Sequence, residues 1–253
     1  MTVDVFLPDG YDSGRRYKVV YMHDGQNLFD VSAVWDNHAW EMDEAAMRLG
    51  ADAPIIVGIY NDGVSRMSEY MPTEAMNIIS ADVLKRWLGD VCTGGFVGDR
   101  YVDFIAETLK PEIDSHYSTL TDVADTSVMG SSMGGLASMY ALCRHPETFG
   151  AAACLSTHFI AISDDNEIFP TAFAAYLAGH LPMDGSHRVY FDTGDMTLDS
   201  LYVPHFRRIM TMLEQMGCTQ STLLHKVYPG HGHCEEDWAS RVDIPLRFVL
   251  GVE

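Results

Sequence analysis

A serine hydroxyl becomes a useful nucleophile only where the backbone exposes it and a neighbouring base takes its proton. The stretch VMGSSMGGLASMYAL, running from Val128 to Leu142, carries two adjacent serines, Ser131 and Ser132. In a G-x-S-x-G turn between a strand and a helix, the residues two before and two after the serine crowd each other and must be small. Around Ser132 those positions are Gly130 and Gly134, whereas around Ser131 they are Met129 and Met133. Ser132 is therefore the candidate nucleophile and Ser131 its neighbour on the turn.

The base is expected after a late strand, with the acid ahead of it in chain order. The segment KVYPGHGHCEEDW places His231 and His233 after an apolar run and a Pro-Gly turn, while His225 lies within the run. An acid there would orient the imidazole and stabilise its charged form. The segment DTGDMTLDSLY offers Asp192, Asp195 and Asp199, and spacing alone does not choose among them. The developing oxyanion needs backbone donors, one from the residue after the nucleophile and one from an early loop. Met133 and, in the loop HDGQNLFD, Gln26 are the candidates, with Gly25 permitting the turn. His231, His233 and Cys234 have zinc-ligand chemistry, but no partner pair stands at finger-like spacing. The expectation is that neither a metal nor a cofactor is needed.

These residues must be positioned by alternating strands and helices. Strand-like runs are Val3–Leu7, Tyr17–Met22, Ile55–Ile59, Ser127–Met129, Ala151–Leu155, Arg188–Phe191 and Leu223–Val227. Helical patterns fall near Asp43–Leu49, Ala81–Leu88, Tyr101–Tyr117, Met133–His145, Pro170–Ala178, Tyr202–Met216 and Glu235–Val242. Such alternation predicts an α/β fold, a mostly parallel sheet with helices on both faces. Pro111 predicts a break or kink in the Tyr101–Tyr117 helix. No linker, repeat or charge block divides residues 1–253, so one domain is expected, with His158–Gly185 as a lid or pocket wall.

The chain of 253 residues carries 16 basic and 36 acidic side chains, a net charge of −20. That excess repels nucleic acid and anionic lipid, whose binding relies on basic patches. No apolar run approaches the roughly 18 to 20 residues of a membrane span, and MTVDVFLPDG lacks the features of a signal peptide. A cytoplasmic location is the default expectation. The five scattered cysteines (Cys92, Cys143, Cys154, Cys218 and Cys234) do not suggest a disulfide framework. Nothing in the sequence specifies an oligomeric state.

The stretches VVYMHDGQNLFD, WEMDEA, IIVGIYNDGVSRMSEYMPT, YVDFIAETLKPEIDSHYSTL, TSVMGSSMGGLASMYALCRHPETFGAAACLS, VYFDTGDMTLD and PGHGHCEEDWASRVDIPLRFVL span nearly the whole chain in order. Together they resemble the esterase D-like ("putative esterase") branch of the α/β-hydrolases, which includes enterochelin-esterase-like, feruloyl, acetyl-xylan and S-formylglutathione-hydrolysing enzymes. The resemblance implies Ser132 as nucleophile. Its late histidine–Glu–Trp motif fits His233, Glu235 and Trp238, which ranks His233 above His231. Its acid-bearing strand matches Asp192, Gly194, Leu198 and Asp199, which favours Asp199. Asp195 stands where that pattern usually has Thr, leaving it as the alternative acid, and Cys234 stands where Asn is frequent. Arg66 and Glu69, in SRMSEY, match a motif near the family's pocket; they read as a substrate contact or as an ion pair bracing the loop. Trp40 reads as a pocket wall or a core aromatic.

The implied activity is ester hydrolysis through an acyl-enzyme. Short-acyl or aryl esters such as acetyl or feruloyl groups on carbohydrate come first as substrates. A siderophore ester is second, weakly disfavoured by the acidic surface, and an S-formylglutathione-type thioester third. The competing class is a catalytically silent scaffold that binds carbohydrate or protein, against which the intact Ser–acid–His set argues.

Overall fold

The computed structural model describes residues 1–30, 38–88 and 95–252. Cys92 lies outside them. Seven strands, β1 (Val3–Phe6), β2 (Val19–His23), β3 (Ile55–Ile59), β4 (Thr126–Ser131), β5 (Ala151–Leu155), β6 (Arg188–Gly194) and β7 (Leu223–Tyr228), form one sheet in the order β1-β3-β2-β4-β5-β6-β7. Among the described residues only the β1–β3 pairing is antiparallel, with Val3 opposite Ile59. The others are parallel, in registers such as Val19 opposite Ile55 and Val128 opposite Ala152. Every residue of β2, β3, β4 and β5 is buried, as expected for parallel strands covered on both faces. The outer strands β1 and β7 are mostly half-buried.

Side chains along a strand alternate between faces. Val19, Tyr21, Ile55 and Val57 enter one buried cluster, whereas Val20, Met22 and Ile56 enter the other. Helices cover both faces: α1 (Met42–Met47), α2 (Arg66–Tyr70), α3 (Thr73–Ile78), α4 (Ala81–Leu88), α5 (Gly98–Phe104), α6 (Lys110–His116), α7 (Met133–Arg144), α8 (Ile168–His180), α9 (Asp199–Met216), α10 (Glu235–Arg241) and α11 (Asp243–Leu250). In α7 every residue from Met133 to Cys143 is buried. Its glycines allow that close seat, since a Cβ at Gly135 would come 2.8 Å from Thr157 Oγ1.

The helical pattern Tyr101–Tyr117 is not broken at Pro111. A π-turn at Ile105–Leu109 joins α5 to α6, and Pro111 sits in the first turn of α6. The wider turn ahead of the proline accommodates its ring and missing N–H, which a regular α-helix cannot do without a kink. α9 begins at Asp199, three residues before the periodic pattern, and continues past Pro204 to an αL cap at Gly217. Three short helices, α2, α3 and α11, were not apparent from periodicity, because five to eight residues hold too few turns to establish one. Between His158 and Gly185 lies α8, which packs on α3, α7 and α9; Phe159 and Ile160 ahead of it are fully buried. No described helix is long and apolar enough to cross a membrane. Cys143, Cys154 and Cys218 are free thiols.

Candidate active site

Ser132 occupies the turn between β4 and α7 at φ 56°, ψ −123°, a conformation that L-residues adopt only under constraint. The constraint is the close approach of its flanks: a Cβ on Gly130 would lie 2.8 Å from the carbonyl carbon of Gly134. The Ser132 N–H donates to the Leu155 carbonyl at 2.9 Å, and its own carbonyl accepts from His158 N–H at 3.1 Å. Ser131 ends β4, buried and paired with Leu155, while Ser132 is half-buried. Met133 opens α7, so its N–H belongs to the first-turn donors that have no intrahelical acceptor.

Asp199, fully buried at the start of α9, accepts from His233 Nδ1 at 2.6 Å through Oδ1. A carboxylate only accepts, so the imidazole proton sits on Nδ1 and Nε2 carries the lone pair. Oδ2 of Asp199 accepts from Gly194 N–H at 2.7 Å and from the Ser156 hydroxyl at 2.5 Å. The His233 ring meets Trp238 and Tyr202 edge-on at 5.0 and 5.6 Å.

The other candidates are engaged elsewhere. Asp195 accepts from the Gly230 N–H at 2.7 Å and clamps the turn after β7. Asp192 is fully buried and accepts from Arg241 and Tyr190. His231 turns its Nδ1 to within 3.2 Å of Asp237, its carbonyl receiving the N–H groups of Asp195 and Met196. The Cys234 thiol also points at Asp237, and His225 pairs with Glu214.

The early loop follows β2. Gly25 packs so tightly on β3 that a Cβ would lie 2.6 Å from the Gly58 carbonyl carbon. Gln26 lies in the single turn Gly25–Asn27, half-buried, its side-chain oxygen accepting from Asn61 N–H at 3.4 Å. Asn27 donates to Glu235 at 3.0 Å, which ties this loop to α10. The expected Arg66–Glu69 brace is corrected: Arg66 pairs bidentately with Asp24 at 2.8 Å and lies over the Tyr70 ring. Asp24, in the αL region at φ 57°, turns its carboxylate toward Arg66; Glu69 instead lines a surface cleft with Tyr60, Asn61 and Asp62. Burial and the nearby Asp62 raise the Glu69 carboxyl above its ordinary value. Trp40 is 2 % exposed and packs against Trp238 at 5.5 Å within the buried cluster on one face of the sheet.

Four residues around the site had no motif to announce them. The Tyr202 phenol is hydrogen-bonded to Nδ1 of His158, and its ring meets that of His233 edge-on. Burial, reinforced by His233 and Arg66, pushes His158 down to about 3, so this imidazole stays neutral beside the phenol. Ser156 and Arg241 lie behind Asp199. The usable signal was positional: ligands and catalytic groups of parallel sheets gather beyond the carboxyl ends of the strands, and Ser156 directly follows β5.

Several known proteins share this architecture. The family described as "Putative esterase" matches residues 1–196. A ferulic acid esterase superposes at a TM-score of 0.68 with 19% identity, covering 99% of this chain and 92% of that one. An IroE-like serine hydrolase from Shewanella oneidensis superposes at 0.71 with 22% identity, covering 97% and 75%. The uncharacterized protein YbbA of Bacillus subtilis is 27% identical over 155 residues, 60% of this chain and 54% of its own. The chain thus spans about half the length of the curated relatives it matches. The family match, extending over most of the chain, and the shared sheet architecture lead to one assignment: the chain belongs to the "Putative esterase" family, with the fold of the α/β-hydrolases.

Proposed function

We propose that this protein is a serine carboxylic-ester hydrolase working through an acyl-enzyme. The observation that carries the reading is the 2.6 Å His233–Asp199 hydrogen bond, taken together with the strained strand–helix turn at Ser132. His233 Nε2 takes the Ser132 proton as Oγ attacks the ester carbonyl, and the imidazolium formed is held by Asp199. The amides of Met133 and Gln26 receive the oxyanion; losing one such donor costs roughly 10²–10³ in turnover. The imidazolium protonates the departing alcohol, and water then repeats the sequence to release the acid. No step requires a metal or cofactor.

For substrate, we propose short-acyl or aryl esters, with acetyl or feruloyl groups on carbohydrate first. The ferulic acid esterase among the structural neighbours supports this choice, and the net charge of −20 argues against polyanionic esters. The test is labelling by a fluorophosphonate together with turnover of p-nitrophenyl acetate and methyl ferulate. Ser132→Ala is expected to abolish labelling and lower turnover by roughly 10⁴–10⁶, while Ser131→Ala remains active. Activity retained in Ser132→Ala would overturn the reading.

A further inference from the structure

Ser156 follows β5 directly, is fully buried and stands at φ 41°, in the region that favours glycine. Its side chain explains why a hydroxyl-bearing residue occupies so unfavourable a backbone position. Trp238 Nε1 and Arg241 Nη2 both approach the Ser156 oxygen at 2.9 Å, and both groups can only donate. The two lone pairs are thereby used, and the hydroxyl proton is directed to Asp199 Oδ2 at 2.5 Å. The same Arg241 nitrogen bridges to Asp192 Oδ1 at 3.1 Å, with Nε reaching Oδ2 at 3.2 Å. Asp192 Oδ1 also accepts from the Ser156 backbone N–H at 3.1 Å, and Oδ2 from the Tyr190 hydroxyl at 2.9 Å. The serine is thus held from both its backbone and its side chain.

We infer that Ser156 is a positioning residue for the reaction proposed above, fixing the Asp199 carboxylate at the rotation His233 needs and coupling it to the buried Arg241–Asp192 pair. The inference rests on Asp199 being the acid of the hydrolase. Asp199 meets His233 on one oxygen and Gly194 N–H and Ser156 on the other. Tyr202 and, beyond it, His158 face the site from the Ser132 side, and Arg241 with Asp192 from behind. Without the hydroxyl, Oδ2 keeps only the Gly194 donor. The carboxylate can then rotate, and the imidazole it orients loses alignment with Ser132.

The test compares Ser156→Ala with Ser156→Gly. Both remove the hydroxyl, but glycine also relaxes the positive-φ backbone, so a purely conformational role would leave Ser156→Gly unimpaired. The expected result is a kcat on p-nitrophenyl acetate lowered on the order of 10-fold to 100-fold in both variants, with KM changed less than threefold. The pH profile of kcat/KM is expected to differ from that of the wild type, because removing the hydroxyl takes one donor from the carboxylate that orients His233. Thermal unfolding checks that Ser156→Gly retains its fold if Ser156→Ala does not. Wild-type kcat and pH profile in Ser156→Gly, while Ser132→Ala is inactive, would overturn the positioning role and leave the hydrolase reading standing. A wild-type chain that neither labels with fluorophosphonate nor turns over ester would overturn both.

Discussion

At the scale of single residues, three aspartates within eight positions have three separate employments. Asp199 faces His233, Asp195 caps the turn at Gly230, and Asp192 compensates Arg241. Their substitutions should therefore diverge. Asp199→Asn is expected to cost roughly 10⁴ in kcat, because an amide would favour the wrong imidazole tautomer. Asp195→Asn, whose carboxylate only braces a backbone turn, should stay within about threefold of wild type, since that contact lies away from the reacting atoms. Arg241→Met leaves Asp192 charged and unpaired in the core, and its unfolding free energy should fall by about 3–5 kcal/mol, read from urea denaturation. Adding Asp192→Asn to that variant should recover part of the loss, since the two residues form one unit.

At the scale of elements, the decisive piece is the turn between β4 and α7. Its backbone is strained because Gly130 and Gly134 touch: a Cβ on Gly130 would lie 2.8 Å from the Gly134 carbonyl carbon, a backbone atom that no side-chain rotation moves, whereas one on Gly134 would meet the His23 side chain at 3.3 Å. Gly130→Ala should thus destabilise the protein by about 2 kcal/mol or more, with a matching loss of soluble, labelling-competent enzyme; a fully stable and active Gly130→Ala would contradict the packing described. The serine pair and its glycines were legible in the sequence because this constraint is local. α10 is the complementary case. Its Glu235 reaches Asn27 and its Trp238 reaches Ser156 and Trp40, so one short helix joins the early loop, the acid and the histidine. Glu235 and Trp238 were visible as a motif, but their partners lie 208 and 82 residues away, and no spacing rule reaches that far.

At the scale of the whole molecule, two buried histidines make stability pH-dependent. Burial pushes His23 down to about 4 and His158 to about 3, from an ordinary value of 6.5. Below pH 6.5 the unfolded chain binds protons that the folded chain refuses, so stability falls as pH drops. The loss levels off for His23 below about pH 4 and for His158 below about pH 3. At about 1.4 kcal/mol per unit, the two together should remove several kcal/mol between neutrality and pH 4. The melting temperature is expected to decline steadily over that range, and His158→Gln should decline less steeply. A melting temperature that stays level from pH 7 to 4 would contradict this account.

The sequence by itself determined the alternation of strands and helices, the strand–helix turn at Ser132, and a short roster of acids and histidines placed to serve it. Each of these follows from local physics: side-chain periodicity, glycine sterics and chain order. Only the tertiary structure decided that Arg66 belongs to Asp24, that Trp40 is core, and that Ser156, Tyr202 and Arg241 surround the acid and the serine. Those choices depend on which strand ends come together, and hydrogen-bond direction and burial act on atoms brought close by the fold regardless of their distance along the chain.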